Sequence, residues 1–372
     1  MIFVLNLTLI LLFILFFEFL LRIFFKLKGK VYVWEPYRKI QLNLDHTALP
    51  QLPPISYFCI NSLGEIGTEP PNEKYLKTLI IGGSAAECYF LGSDRGFTGF
   101  LQSKLNDVSR PLNISKFNKI HVGSIASSGL GADVLSNQLE LILRNYKSLD
   151  LVICMLGAND LIRWFANGAP DSGKRLPIAS DSFGAVNQKR KFTFKSIKST
   201  AIFEFLKIIK RFFWRKIVIK KNVGSRLNNL RKMRSQAKIY RNSFGDPKKF
   251  ITQYEKDLEA TLMICKKKSK RVIVLIQPWF NRQVHESEHG QFWNAAQGQP
   301  FKENVEVYFS LEAFSKGMEI VANSTHRVAS SLNIETIDLP KYLTANFENY
   351  YDFNHFTELG VERMTDIVIH RI

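Results

Sequence analysis

The sequence predicts an α/β domain in three layers, built on a parallel sheet and preceded by an N-terminal transmembrane helix. Three observations lead there. Short apolar runs at Leu79 to Ile81, Leu149 to Leu156 and Arg271 to Pro278 have the length and composition of strands buried on both faces. Stretches with helical spacing of apolar residues separate them, and that alternation is the signature of strands joined by helical crossovers. Ahead of them, Ile2 to Phe25 is almost wholly apolar, and a helix of that length crosses a hydrocarbon layer of about 30 Å.

The 372 residues are 46% hydrophobic and 13% aromatic, enough apolar material for one full core and too much for a disordered chain. Cys59, Cys88, Cys154 and Cys265 lack C-x-x-C spacing and fall mostly in apolar runs, so they read as core thiols, neither a disulfide framework nor a zinc knuckle. The net charge of +18 is concentrated: from Lys189 to Arg241 there are 18 Lys and Arg against one acid, Glu204.

Taken in order, the apolar N-terminal stretch is interrupted by Asn6, Thr8, Glu18 and Arg22. Glu18 and Arg22 share a helix face and pair in the favourable order. With no basic segment ahead of it and no small-residue cleavage site before Lys26, the stretch reads as an anchor, residues 1–27, more readily than as a cleaved signal. Residues 28–76 carry six prolines from Pro36 to Pro71 and read as an extended lead-in with short strands. The main domain then spans 77–372. Its first strand ends in Gly82, Gly83 and Ser84, where a sharp turn into a helix sets a hydroxyl beside free N–H groups. A helix is expected at Thr98 to Asn106, a strand at Lys119 to Ser124, a helix at Asp133 to Tyr146 and a strand at Leu149 to Leu156.

The alternation stops from about 163 to 250, which reads as a basic insertion. Within it, Ala201 to Lys221 is expected to be one amphipathic helix, with Lys207, Lys210, Arg211, Arg215 and Lys216 along one face. Such a helix can lie in a headgroup layer, or present a solvated basic face to water. No recognised nucleic-acid module accompanies the cations, so nucleic acid is not an expected partner. Regular elements resume with a helix at Phe250 to Lys268, the strand at Arg271, a long helix from about Glu306 to Leu332, a strand at Asn333 to Leu339 and a last helix at Glu358 to Arg371.

Marked residues gather at the predicted strand ends. An acyl-transfer site needs a nucleophile, a base, an acid that orients the base, and donors aimed at a developing oxyanion. Ser84 can be the nucleophile. Alone among seven histidines, His355 has an aspartate three residues before it, and Asp352 can hold its imidazole toward Ser84. Asn159 offers an amide donor that carries no charge, and Gly129 a backbone N–H free of a Cβ, with Gly131 as an alternative. The bland readings are a serine cap, two turn residues and a surface pair.

In this order GGSAAE around Ser84, the glycine of SSGLG, GAND (Gly157 to Asp160) and DFNH (Asp352 to His355) resemble blocks I, II, III and V of the SGNH superfamily, the GDSL-type esterases and lipases. The resemblance covers Lys77 to Ile372 apart from the insertion. It departs from the pattern at Gly83, where the family has an aspartate, and in block II, which lacks the customary asparagine. The lead-in, with INSLGEIG, resembles membrane-anchored bacterial members. The resemblance implies a flavodoxin-like sheet, Ser84 as nucleophile, His355 as base, Asp352 as orienting acid, an oxyanion hole from Ser84, Gly129 and Asn159, and no metal or cofactor. It also implies membrane lipids and an acylated glycan or lipid as partners, with ester hydrolysis as the reaction. An O-acyltransferase of cell-surface polysaccharide with the same site, or a non-catalytic membrane scaffold of the same fold, are the alternatives. Lys26, Lys28 and Lys30 favour a cytoplasmic body, whereas the anchored relatives favour the outside.

One motif points elsewhere. HESEH, His285 to His289, fits the H-E-x-x-H zinc pattern, but Gly290 follows at once and Glu288 puts a charge where a buried helix needs an apolar residue. Trp279, Phe280, His285 and Trp293 are instead expected in a long loop where aromatics could stack on a sugar or an acyl chain.

Overall fold

The computed structural model describes residues 2–28, 32–107, 119–177, 201–214 and 217–372. Its first element, α1 (Ile2–Lys28), contains a window, Leu5–Phe24, of mean hydropathy 2.5, long and apolar enough to cross a membrane. Apart from Leu21, that window is exposed or half-buried, which separates it from the core helices of the domain. Glu18 accepts from Arg22 Nε at 2.8 Å, and its carboxylate also receives the N–H groups of Ala201 and Ile202.

Next, β1 (Lys39–Leu44) and β2 (Ile55–Cys59) form an antiparallel pair. β3 (Leu76–Gly82) carries Leu79, Ile80 and Ile81 with no exposure at all. It runs into α2 (Ser84–Glu87), α3 (Gly92–Arg95) and α4 (Phe97–Leu105). The helix expected at Ser84 is thus a single turn. Cys88 takes a left-handed φ of 50° and breaks it, so local N–H groups rather than a long helix dipole face the hydroxyl. β4 (Ile120–Ser124), α5 (Ala132–Leu143), β5 (Leu149–Met155) and α6 (Ala158–Ala166) follow.

The insertion differs from the expectation. Its helix, α7 (Ala201–Trp214), ends early, and Val218 onward is β6 (Val218–Val223). β6 pairs in parallel with β1, so lead-in and insertion share one three-stranded sheet of order β2-β1-β6. Residues 215 and 216 and the side chains at 207 and 211 lie outside what is described; of the expected basic stripe, Lys210 is exposed. α8 (Ser225–Ser235), β7 (Ile239–Arg241), α9 (Lys248–Lys268) and β8 (Ser269–Ile276) lead back to the main sheet. A second departure comes at residue 306: instead of a helix start, β9 (Val307–Phe309) pairs with β7. Ser310 then caps α10 (Leu311–Ser331) by accepting from the N–H of Ala313. β10 (Glu335–Asp338) and α11 (Glu358–Ile369) complete the chain.

The main sheet is parallel throughout, in the order β10-β8-β5-β3-β4. Along the chain that is 2-1-3-4-5, the doubly wound flavodoxin-like order. With right-handed crossovers, reversal of direction at β3 puts α4 on one face and α5, α9 and α10 on the other. The packing agrees: α4 meets α11, while α9 meets both α5 and α10. The reversal opens a crevice beyond the carboxyl ends of β3 and β5. A buried ionic cluster ties the lead-in to this sheet: Glu65 accepts from Lys77 Nζ at 2.7 Å, Tyr146 Oη at 2.7 Å and Asn61 Nδ2 at 2.9 Å.

Candidate active site

Ser84 stands directly after β3 at that crevice, and the loop between β10 and α11 brings Asp352 and His355 to it. His355 Nε2 lies 2.8 Å from Ser84 Oγ. On the other side of the ring, Nδ1 lies 2.8 Å from Asp352 Oδ2 and 3.0 Å from Oδ1. An ionised carboxylate can only accept, so Nδ1 carries the proton, Nε2 is the acceptor and the Ser84 hydroxyl donates to it.

The D-x-x-H spacing works through the backbone. Asp352 Oδ1 receives the N–H groups of Asn354 and His355, each at 2.9 Å, an Asx-type turn that fixes the imidazole relative to its own carboxylate. Asp352 is fully buried. Burial alone would raise its pKa, but the charge and hydrogen bond of His355, the Asn354 N–H and the Trp293 indole together hold it below the ordinary carboxylate value.

Trp293 went unassigned to this role in the sequence. It donates Nε1–H to Asp352 Oδ2 at 2.9 Å, and its ring lies parallel to that of His355, which Tyr351 parallels as well. Of the four loop residues marked for stacking on substrate, Trp293 lines the pocket, whereas Trp279 and Phe280 are buried in the core and His285 is exposed on the surface. HESEH lies in a 3-10 turn, with Glu288 bound to Arg282 and to the N–H of His285. Among the described residues no cluster of His, Cys, Asp and Glu could hold a metal ion.

Ser84, Gly129 and Asn159 line one pocket with His355, and Gly131 is not on its wall. Gly129 has φ of +81°, a conformation that favours glycine. The Asn159 amide donates one hydrogen to Leu130 O at 2.9 Å, leaving its second hydrogen free. Gly83 has its own explanation: a Cβ there would come within 2.2 Å of Asn159 Nδ2, so the aspartate of the family pattern cannot stand here with the amide in place. The Asp160 of GAND points away from the pocket, receiving Ala132 N–H at 3.0 Å and the Arg175 guanidinium. Behind Gly129, the Ser128 hydroxyl donates to Glu87 Oε2 at 2.6 Å. Burial pushes the Glu87 carboxyl up to about 8.

The insertion contributes where its charge suggested a surface role. From α8, Arg231 donates to the carbonyls of Ala48, Gln291 and Tyr351. Arg234, buried, donates to those of Asn294 and Phe309, and Arg226 covers the Phe301 ring and binds its carbonyl. These side chains hold the loops that carry Trp293 and Asp352. The sequence assigns no element to this stretch and carries no local sign that these arginines turn toward carbonyls distant in sequence.

No family model and no curated protein matches the chain. Three similar solved structures are the alpha/beta hydrolase LAE5 from the metagenome of Lake Arreo, Spain, the acetylxylan esterase Axe2 of Geobacillus stearothermophilus, and a member of the lipolytic G-D-S-L family from Veillonella parvula. LAE5 is 14% identical with a TM-score of 0.43, covering 79% of this chain and 94% of its own. Axe2 is 12% identical at 0.41, covering 79% and 93%, and the Veillonella protein 11% at 0.41, covering 79% and 97%.

Proposed function

We propose that this chain is a membrane-anchored serine esterase of the SGNH type. The single observation that carries the reading is the relay from Ser84 through His355 to a buried, ionised Asp352, with 2.8 Å at each ring nitrogen. Ser84 Oγ attacks the ester carbonyl as His355 Nε2 takes its proton. The carbonyl oxygen becomes an oxyanion that the N–H groups of Ser84 and Gly129 and the amide of Asn159 can receive. Collapse expels the alcohol, which takes the proton from His355, and leaves Ser84 acylated. Water, deprotonated by the same nitrogen, then releases the acid and restores the hydroxyl. Asp352 stabilises the imidazolium in both halves.

The length and exposure of α1 support the anchor. The test is hydrolysis of p-nitrophenyl esters by the full chain, with labelling by a small fluorophosphonate. Ser84→Ala should lose both while keeping its circular dichroism spectrum; turnover undiminished in Ser84→Ala rejects the reading. Flotation of the full chain with anionic vesicles, lost on removal of residues 1–28, tests the anchor.

A further inference from the structure

The site that carries the esterase reading opens into a cavity of about 150 Å³, a size that in other proteins takes up one benzene ring and stays dry when lined by hydrocarbon. Its walls away from the triad are Ile162, Ala166, Leu176, Leu227, Ala296 and Phe301. Among the described residues, the Lys or Arg on the wall is Arg163, and it is neutralised: it makes two parallel bonds to Asp133, at 2.8 and 2.6 Å, and a third to Leu176 O. Among the described residues of the wall, no unpaired cation is therefore left to receive a carboxylate, phosphate or sulfate. Polar capacity is small, since the Trp293 indole and the Ser128 hydroxyl already have partners. Asn294 and Gln299 each keep one carbonyl oxygen without a partner, fewer groups than a sugar ring with its several hydroxyls needs.

We infer that this cavity is an acyl-chain subsite, walled in part by the insertion, that takes a straight alkyl chain of about six carbons from the ester. The inference rests on the esterase reading and deepens it. Leu176 and Leu227 both come from the insertion, and each is held: the Leu176 backbone bonds at both ends to Arg163, through its N–H to Arg163 O at 3.0 Å, and Leu227 is nearly fully buried. Phe301 on the opposite wall is pinned by Arg226, the residue before Leu227. An acetyl group would fill a small part of this space, whereas each further methylene leaves water and is worth about fourfold in kcat/KM. Hexanoyl exceeds acetyl by four methylenes, so a preference on the order of 100-fold follows.

The experiment is a chain-length series of p-nitrophenyl esters, from acetate to decanoate, with the full chain, Ser84→Ala as blank and fluorophosphonate labelling in parallel. The expected result is a hexanoate to acetate ratio of kcat/KM on the order of 100, levelling beyond the length that fills the cavity. Leu176→Trp, at a half-buried position where the fold should tolerate it, should cut that ratio at least tenfold, and Phe301→Ala should move the optimum to longer chains. A wild-type chain that labels at Ser84 yet hydrolyses acetate as well as hexanoate overturns the subsite and leaves the esterase reading standing. So does a ratio that neither substitution moves. A chain that neither labels nor hydrolyses any ester overturns both.

Discussion

Trp293 donates its indole N–H to Asp352 Oδ2 at 2.9 Å, the same oxygen that receives Nδ1–H of His355. The indole thereby orients the carboxylate from the side opposite the Asn354 and His355 amides. Trp293→Phe keeps an aromatic ring beside His355 and removes the bond alone. Losing one donor raises the pKa of Asp352 toward the ordinary value and loosens its hold on the imidazole. kcat should fall about tenfold, with the acidic limb of the pH profile displaced to higher pH. A uniform loss without displacement would assign the residue to packing only.

Gly83 and Asn159 predict a coupled pair. Gly83→Ala puts a methyl into the position of the amide nitrogen, so the amide must swing away from the oxyanion side. Asn159→Ala removes the donor outright, and loss of one such donor typically costs about 100-fold or more in kcat. The two single variants should be similarly slow and the double variant no slower than either. Full additivity in the double-mutant cycle would mean that the two positions act separately.

Much of this arrangement was legible because its signals are local. Leu79 to Ile81 reads as a buried strand from three consecutive residues, Gly83 and Ser84 mark its end, and Asp352 and His355 are joined by one turn. What escaped is non-local. The run from Glu306 to Leu332 reads as one helix, yet pairing with β7 makes Val307 to Phe309 a strand before Ser310 starts the helix. Val218 to Val223 continues an amphipathic pattern, yet pairing with β1, far away in the lead-in, overrides it. Trp293 and Arg231 have no partner within a few residues of themselves, so no spacing rule could connect them to Asp352.

Arg231 makes a direct prediction about the insertion. Its guanidinium reaches three carbonyls on three separate segments, at Ala48, Gln291 and Tyr351. Arg231→Met fills similar space and leaves these oxygens without their donor, which should cost about 3 kcal/mol in urea unfolding and lower kcat through the displaced Tyr351 and Asp352. Arg231→Lys should recover little of either, because an ammonium cannot span a fork of three carbonyls. Recovery by lysine would show that charge alone suffices there.

Glu87 should leave a signature in stability against pH. The folded chain holds its carboxyl proton up to about pH 8 because burial disfavours the charge, whereas an unfolded glutamate releases it near 4.5. Between those values the folded state binds the additional proton, so stability falls as pH rises and levels off above 8. Glu87→Gln keeps the shape without the ionisation. Its stability should lie close to wild type at pH 5 and exceed it by up to about 4 kcal/mol at pH 8.5. The comparison belongs above pH 5, since Glu65, held at about 2 against its own burial by His121, Lys77 and Asn61, acts in the opposite sense: its contribution is complete above 4.5 and is lost as pH falls toward 2. Urea midpoints at pH 5, 7 and 8.5 measure the difference, and parallel profiles for the two chains would show that Glu87 is already ionised in the fold.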